Sequence, residues 1–382
     1  MRIYLDNNAT TPVHPDVLVT LETMLRNVYG NASSIHKEGQ TARQVIEDAR
    51  EQVARLTGAA AREIVFTSGG TESNNAAIFG AVSTLGIHHI VTSAIEHPSV
   101  SEPVEELRRR GHDVTLIAPS RDGVVDAAAF VDALRSDTRL VAIMLANNET
   151  GVVQPVAEIA RAARDRGIHV HCDAVQAAGK IDIDVEALGV DTLALSAHKM
   201  HAPKGIGALY VRRGTTMQTH LFGGAQERRR RAGTENVPLA AAFGVAATLA
   251  SEPTFRLHIA ALRDRFEAEI QDLDVTINGA HHPPPATHHP ARVPNTSSVT
   301  FHHADAEGIV IVLDLNGIAA STGSACSSGR VEPSRILLAM GMTPQDAKST
   351  VRFSLSRFTT DIEIETTVAV LRDLLPRVRK HM

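Results

Sequence analysis

Between about residue 36 and residue 211 the chain alternates helical and strand periodicity, and this alternation constrains its fold more than any other feature. Ala42, Val45, Ile46, Ala49, Val53 and Leu56 recur at spacings of three and four, which puts them on one face of an amphipathic helix. Short β-rich runs follow at 63–67, 89–93, 113–118, 140–145, 168–173, 192–196 and 206–211. Helical segments separate most of them, including 155–166, where Pro155 suits a first helical turn. Strand–helix alternation of this kind implies an α/β fold with a largely parallel sheet. Ligands on such sheets sit at the carboxyl ends of the strands, so the residues just past each strand are where chemistry is sought first.

After about residue 250 the pattern changes. A charged helix at 255–272 precedes a strand at 275–277, a Pro/His-rich stretch, a strand at 298–301 and a helix at 306–315. A strand at 350–356 and a C-terminal helix complete a smaller α+β unit. The expected division is a large domain over 16–250 and a small domain made of 1–15 and 251–382. A chain of 382 residues is long enough for both.

Composition removes several classes of function. Apolar residues are 43% and charged residues 21%, the balance of a globular protein. A net charge of −5, with three Tyr, ten Phe and no Trp, argues against a nucleic-acid surface or an anionic-membrane binder. The Ala-rich stretch 239–250 falls short of the ~20 apolar residues that span a bilayer. No apolar signal core follows Arg2, so cytoplasmic residence is expected. Two cysteines, Cys172 and Cys326, are too few for a disulfide framework or a four-ligand zinc site. The stretch 281–290 holds four His among prolines with no acidic or Cys ligand beside them, and reads as a solvated loop. The Arg run 228–231 reads as a local anion site or a solvated face.

Several motifs carry chemistry. Ser196-Ala197-His198-Lys199 directly follows a predicted strand, where a lysine can form a Schiff base with an aldehyde cofactor. Asp173 ends another strand and can keep a pyridinium nitrogen protonated, with Gln176 placed to meet a ring oxygen; an N-cap is the competing reading of Asp173. Phe66-Thr67-Ser68-Gly69-Gly70-Thr71-Glu72 joins a strand to a helix, so backbone N–H groups and the Thr71 hydroxyl can cradle a phosphate. It has no P-loop lysine, which disfavours a nucleoside triphosphate. His97 also follows a strand and can stack on a flat cofactor, although a lone histidine is often structural. Cys326 lies among small residues between Gly323 and Gly329, as expected of an exposed nucleophilic thiol, whereas Cys172 sits inside a β-rich run and reads as buried and inert. Arg352 alternates with Val351 and Phe353 and can clamp a carboxylate.

The segments YLDNNATTP (4–12), GNASSIH (30–36), FTSGGTESNN (66–75), EHPSV (96–100) and NNETG (147–151) continue in order into HCDAVQAAGK (171–180) and SAHKMHAPKGIGALY (196–210). GGAQERRRRAGTEN (223–236), STGSACSSG (321–329) and VRFSLSRFTT (351–360) complete the series. Together they resemble the pyridoxal-phosphate-dependent cysteine desulfurases of the class V aminotransferase-like group. HAPKG and VRFSLSR look closest to the nitrogen-fixation branch with the longer cysteine loop; the His-rich stretch departs from the family pattern. The resemblance implies a fold-type I enzyme with a mostly parallel seven-stranded sheet and pyridoxal 5'-phosphate as cofactor. It implies that Lys199 forms the Schiff base and moves the substrate α-proton. Asp173 pairs with the ring nitrogen, Gln176 meets the ring oxygen, and His97 stacks and takes part in proton transfer. Gly70, Thr71, Ser196 and His198 hold the phosphate, and Thr234 reaches the phosphate of the neighbouring subunit in a homodimer. Asn148 touches cofactor and substrate, and Arg352, helped by Asn8, binds the carboxylate of L-cysteine. Cys326 takes the sulfur as a persulfide, leaves alanine, and passes the sulfur to an iron–sulfur scaffold protein or another acceptor; a transient iron–sulfur contact at Cys326 is the one metal role implied. The competing readings are an aminotransferase or lyase of the same fold and a non-catalytic cofactor-bearing scaffold. Cys326 weighs against the first, and Lys199 with Asp173 and Cys326 against the second.

Overall fold

The computed structural model describes residues 2–82, 86–281, 289–322 and 332–379. Cys326 and most of the His/Pro-rich stretch, 282–288, lie outside the described residues, and so do the expectations attached to them.

In chain order the strands are β1 (Ile3–Tyr4), β2 (Ile64–Thr67), β3 (His89–Ser93), β4 (Asp113–Ile117), β5 (Thr138–Met144) and β6 (His169–Asp173). They continue with β7 (Thr192–Ser196), β8 (Gly207–Val211), β9 (Val275–Asn278), β10 (Thr296–Phe301), β11 (Ile318–Ala319) and β12 (Thr350–Ser354). One seven-stranded sheet has the order β2-β8-β7-β6-β5-β3-β4. From β7 to β4 every neighbouring pair is parallel, while β8 runs antiparallel to both β7 and β2. The expected mostly parallel sheet is therefore present. Helices cover both faces of such a sheet, and its inner strands become unbroken apolar runs. Leu140, Val141, Ala142 and Ile143 of β5 are fully buried, and each large side chain so enclosed contributes roughly 1.5–3 kcal/mol.

The amphipathic helix read from the sequence spans Lys37–Thr57 and buries Ala42, Ile46, Ala49 and Val53. Its start is set by His36, whose Nδ1 accepts from the Gly39 N–H at 3.3 Å. The Ala-rich stretch 239–250 belongs to the helix Val237–Ala250, which buries Ala240, Ala242, Phe243, Ala246 and Ala247 in the same core. Its apolar surround is that of a core helix. Among the described residues no helix is long and apolar enough to cross a membrane.

A second apolar cluster joins Ile3 and Leu5 to Ile259, Phe266, Phe301, Phe353 and Leu371. It packs against an antiparallel sheet of order β12-β10-β9 and the short parallel pair β1-β11. The rings of Phe266 and Phe353 lie 4.9 Å apart. Two-residue strands such as β1 and β11 carry no periodic signal. The helix Pro15–Asn27 has a mixed pattern that gives no clean stripe: Val17 is buried and Leu21 packs on the core, while Leu18, Val19 and Leu25 are exposed.

β2, β3, β5, β6 and β7 all end at one edge of the large sheet, and Gly70, His97, Asn148, Asp173 and Lys199 follow these ends. Right behind that edge stand the N-terminal residues. The Asn7 N–H donates to the Ser354 carbonyl (3.1 Å) and the Asn8 N–H to Ser354 Oγ (2.9 Å), which stitches residues 7 and 8 to β12.

Candidate active site

A pocket of about 210 Å³ opens at the carboxyl edge. Gly70, Thr71, His97, Asn148, Asp173, Gln176, Ser196, His198 and Lys199 all line it, so nine expected site residues from separate strand ends converge there. The helix Gly70–Ala81 starts at the pocket and presents its N-terminal N–H groups. Gly70 is required by close packing, since a Cβ there would stand 2.7 Å from Val175 Cγ2. His198 donates to or accepts from Thr10 Oγ1 through Nδ1 at 3.1 Å. Burial, then the Lys199 and Lys204 cations, push its pKa down to about 4.

Asp173 is buried and held by two donors: Asn74 Nδ2 on Oδ2 at 2.8 Å and the Val175 N–H on Oδ1 at 3.0 Å. Asn74 Nδ2 also donates to Ser99 Oγ (2.8 Å), and Ser99 Oγ meets His97 Nδ1 (2.8 Å). The Ser99 N–H donates to the same Nδ1 (3.1 Å), so that nitrogen is an acceptor. On the other side of Asn74, His171 Nε2 donates to Oδ1 at 2.9 Å. Burial pushes the His171 pKa down to about 3, which keeps it neutral. One chain of hydrogen bonds thus runs from His171 through Asn74 to Asp173, and through Ser99 to His97. Burial likewise holds the His97 pKa below its ordinary value, with Asp173 opposing and Lys199 reinforcing the shift.

Lys199 Nζ donates to the carbonyls of Asn8 (2.5 Å) and Ala9 (2.8 Å). Desolvation first, and Arg352 next, bring its pKa down to about 8, against the pull of Asp6 and Asp173. Arg352 lies on the face of β12 opposite Val351 and Phe353, as its alternation implies, but it is enclosed. Its Nη2 donates to Asp6 Oδ1 at 2.7 Å and its Nη1 to the Asn148 carbonyl at 3.0 Å. Its Nε and Asn148 Oδ1 are buried without hydrogen-bond partners among the described residues. An unused donor and an unused acceptor thus flank the pocket, the signature of a site built for a polar ligand.

Asn8 and Arg352 stand behind the pocket wall rather than on it. The Asn8 amide is fully engaged: Nδ2 donates to the Asn148 carbonyl (3.1 Å) and to Thr296 Oγ1 (2.8 Å), and Oδ1 accepts from Asn295 Nδ2 (3.0 Å) and Lys180 Nζ (2.9 Å). Thr234 is exposed and outside the pocket of its own chain. Two members of the neighbouring Arg run pair with the chain's own carboxylates, Arg228 at 3.4 Å from Glu47 and Arg231 at 2.8 Å from Glu72. Cys172 is fully buried, and burial pushes its thiol pKa well above the ordinary value, in keeping with an inert thiol.

Asp6, Asn74, Ser99 and Glu96 went unread in the sequence, although each lies inside or beside a motif whose other members were assigned roles. Glu96 is fully buried, accepts from Ser93 Oγ (2.5 Å) and the Met144 N–H (3.1 Å) on Oε1, and has no partner at Oε2 among the described residues. Burial pushes its pKa up to about 8. The folded protein therefore holds a proton there that the unfolded chain releases above its ordinary carboxyl value. This contribution to stability is full at acid pH and is lost as pH rises toward about 8. Glu96→Gln keeps the acceptor and mimics the protonated acid, so its melting temperature is expected to fall less than the parent's between about pH 5 and pH 8. Parallel melting profiles for the two proteins would count against a protonated Glu96.

A lysine and a carboxylate at adjacent strand ends, facing an anion cradle across one pocket, define an enzyme built around a phosphorylated aldehyde cofactor. The chain belongs to the class-V aminotransferase family, whose model matches residues 3–366, and within it to the cysteine desulfurases. It is 44% identical over 382 residues to a cysteine desulfurase of Enterobacter agglomerans, covering 99% of this chain and 93% of that one. It is 42% identical over 384 residues to cysteine desulfurase IscS of Dictyoglomus turgidum, covering 99% and 95%. A solved NifS-like protein matches with a TM-score of 0.91 at 34% identity over 99% of this chain and 100% of the other. Another, described as SspA in complex with cysteine, matches at 0.83 with 35% identity over 94% and 100%. The family, the fold-type I architecture and the enzyme class read from the motifs are thereby borne out. The family depends on pyridoxal 5'-phosphate. The pocket fits that group: a helix N-terminus with Thr71, Ser196 and His198 for an anion, a buried Asp173, Lys199, and an Asn148 acceptor unpaired among the described residues.

Proposed function

We propose that this chain converts L-cysteine to L-alanine, holds the sulfur as a persulfide on Cys326, and passes it to an iron–sulfur scaffold protein or another acceptor. The observation that carries this reading is the meeting of Lys199, Asp173 and Asn148 on one pocket, with Arg352 Nε nearby and unpaired among the described residues. When bound, pyridoxal 5'-phosphate supplies the electron sink that weakens the bond between the substrate Cβ and its sulfur. Asp173 would face the ring nitrogen, Gln176 the ring oxygen, and His97 the ring itself. Gly70, Thr71, Ser196 and His198 would hold the phosphate. Arg352 would fix the substrate carboxylate, with Asn148 beside it and Asn8 bracing both. Lys199, with its lowered pKa, is suited to take the substrate α-proton and return it.

The Cys326 thiolate attacks the substrate sulfur. A sulfur–sulfur bond forms, the Cβ–S bond breaks with its electron pair left on the carbon, and a proton taken up at Cβ gives alanine. Overall, one thiol and cysteine become one persulfide and alanine, with no external oxidant or reductant. Release of the sulfur as sulfide requires a thiol reductant.

A second copy of the chain is part of this reading. Leu18, Val19, Leu25, Tyr29, Ile35 and Phe222 are large apolar residues left exposed, as expected of a face that a like subunit covers. Thr234, exposed on its own chain, would then serve the partner's phosphate. Cytoplasmic residence belongs to the same reading.

The test is mass spectrometry of the protein after treatment with L-cysteine. One added sulfur on Cys326 is expected. Cys326→Ala is expected to keep the colour of the bound cofactor and to lose sulfide release. Full sulfide release by that variant would favour a lyase of the same fold.

A further inference from the structure

Lys180 has no part in the reading above, yet its amine is tied into the pocket wall. The turn after β6 carries it there. The N–H groups of Ala177 and Ala178 donate to the Ala174 carbonyl (3.0 and 2.9 Å), and the Lys180 N–H donates to the Ala177 carbonyl (2.9 Å). Asp173, Gln176 and Lys180 thus leave this turn at intervals of three and four, which brings their side chains to one side as on a helix. Gly179, at φ +76°, allows the chain to bend at this point, and a Cβ there would meet the Ala250 Cβ at 3.0 Å.

Lys180 Nζ donates to Gln176 Oε1 at 2.6 Å and to Asn8 Oδ1 at 2.9 Å. Desolvation, with Lys199 and Arg352 nearby, holds its pKa well below the ordinary lysine value. Protonated or neutral, an amine between two amide oxygens can only donate to them. An amide has its oxygen at one corner and its nitrogen at the other, so a donor fixed on the oxygen decides where the nitrogen goes. Gln176 Nε2 accordingly donates to the Asn8 carbonyl at 2.9 Å and keeps a second N–H. The same Asn8 carbonyl receives Lys199 Nζ.

We infer that Lys180 is a positioning residue: by holding the oxygens of Gln176 and Asn8 it orients the Gln176 amide nitrogen as the donor at the pocket edge and braces the carbonyl that receives Lys199. That edge then offers a hydrogen bond to an electron-rich oxygen of the bound cofactor. The inference rests on the pocket's being a pyridoxal 5'-phosphate site.

The experiment is a titration of the apo protein with pyridoxal 5'-phosphate, followed by visible absorbance, with melting curves recorded alongside. The parent, Lys180→Met, Gln176→Ala and the double variant are compared. Kd is expected to rise about tenfold in each single variant. The double variant is expected to bind no more weakly than Gln176→Ala, because the lysine acts through the glutamine. Gln176→Glu keeps an acceptor for Lys180 but removes the donor and sets a carboxylate oxygen against the Asn8 carbonyl, so it is expected to melt at a lower temperature than the parent and to bind about tenfold more weakly; it serves if Lys180→Met does not fold. An unchanged Kd in Lys180→Met or in Gln176→Glu, or single effects that multiply in the double variant, overturns the inference and leaves the pocket reading intact. A parent protein that takes up no pyridoxal 5'-phosphate sinks both.

Discussion

Lys199→Ala is expected to lose turnover of L-cysteine by about 10³-fold or more, because the role proposed for this one side chain makes it both the covalent anchor and the proton carrier. The variant should still take up pyridoxal 5'-phosphate through the anion cradle, but without the absorbance shift that attachment to an amine produces. The parent protein offers a sharper measurement. Its Lys199 amine is held at a pKa of about 8 by desolvation and by Arg352, and only the neutral amine attacks an aldehyde. Capture of the cofactor by the apo protein should therefore speed up as pH rises through about 8 and level off above it, whereas an ordinary lysine keeps gaining until about pH 10. The rate is read by stopped-flow absorbance across that range. A rate that keeps climbing past pH 9, or normal turnover by Lys199→Ala, would remove the lysine from its proposed role.

Asp173→Asn is the second large effect, an expected loss of about 10²- to 10³-fold in kcat with KM for L-cysteine changed only a few-fold. The shape of the side chain is kept, and the Val175 N–H retains an acceptor. What is lost is the negative charge that favours a protonated ring nitrogen. Asn74 Nδ2 now serves a carboxylate oxygen at 2.8 Å and would face either an amide oxygen or an amide N–H. A modest drop in melting temperature is therefore expected as well, far smaller than the kinetic effect. Steady-state kinetics and a melting curve on the same sample separate the two. Retention of most of the parent's kcat would show that Asp173 acts as a structural cap, the competing reading of a carboxylate at a strand end.

The large sheet was legible because its strands are enclosed on both faces and so advertise themselves as unbroken apolar runs, as in Leu140–Val141–Ala142–Ile143. Lys199, Asp173, His97 and Gly70 were legible because each ends such a run or lies within four residues of its end. Long-range partners were not. Asp6 meets Arg352 across 346 positions, and Asn74 meets Asp173 across 99, and no local periodicity encodes either contact. Lys180 belongs to the same group: its motif was recognised, but the two amide oxygens that give it a task come from a turn and from residue 8. The helix Pro15–Asn27 escaped notice for another reason: its inward residues Val17 and Leu21 are matched by outward Leu18, Val19 and Leu25, which blurs the stripe. Arg352 was placed on the right face of its strand, but its enclosure between Asp6 and Asn148 depends on two segments that a pattern in β12 cannot report.

The stitching of residues 7 and 8 onto β12 sets an order of events during biosynthesis. Asn8 leaves the ribosome hundreds of residues before Ser354, Thr296 and Asn295, its partners in the finished protein. At a typical elongation rate of about 5–20 residues per second, that segment waits tens of seconds for these late partners, while Gln176, Lys180 and Lys199 are already there to hold it. The sheet and its helices can condense meanwhile, since β2 through β8 and the helix Val237–Ala250 are complete by residue 250. The carbonyls of Asn8 and Ala9 can meet Lys199 in that body, but the bonds that clamp residues 7 and 8 to Ser354 form last. A nascent chain is thus a folded body whose pocket wall is held from one side only, and the second side closes when nearly all of the polypeptide has been made.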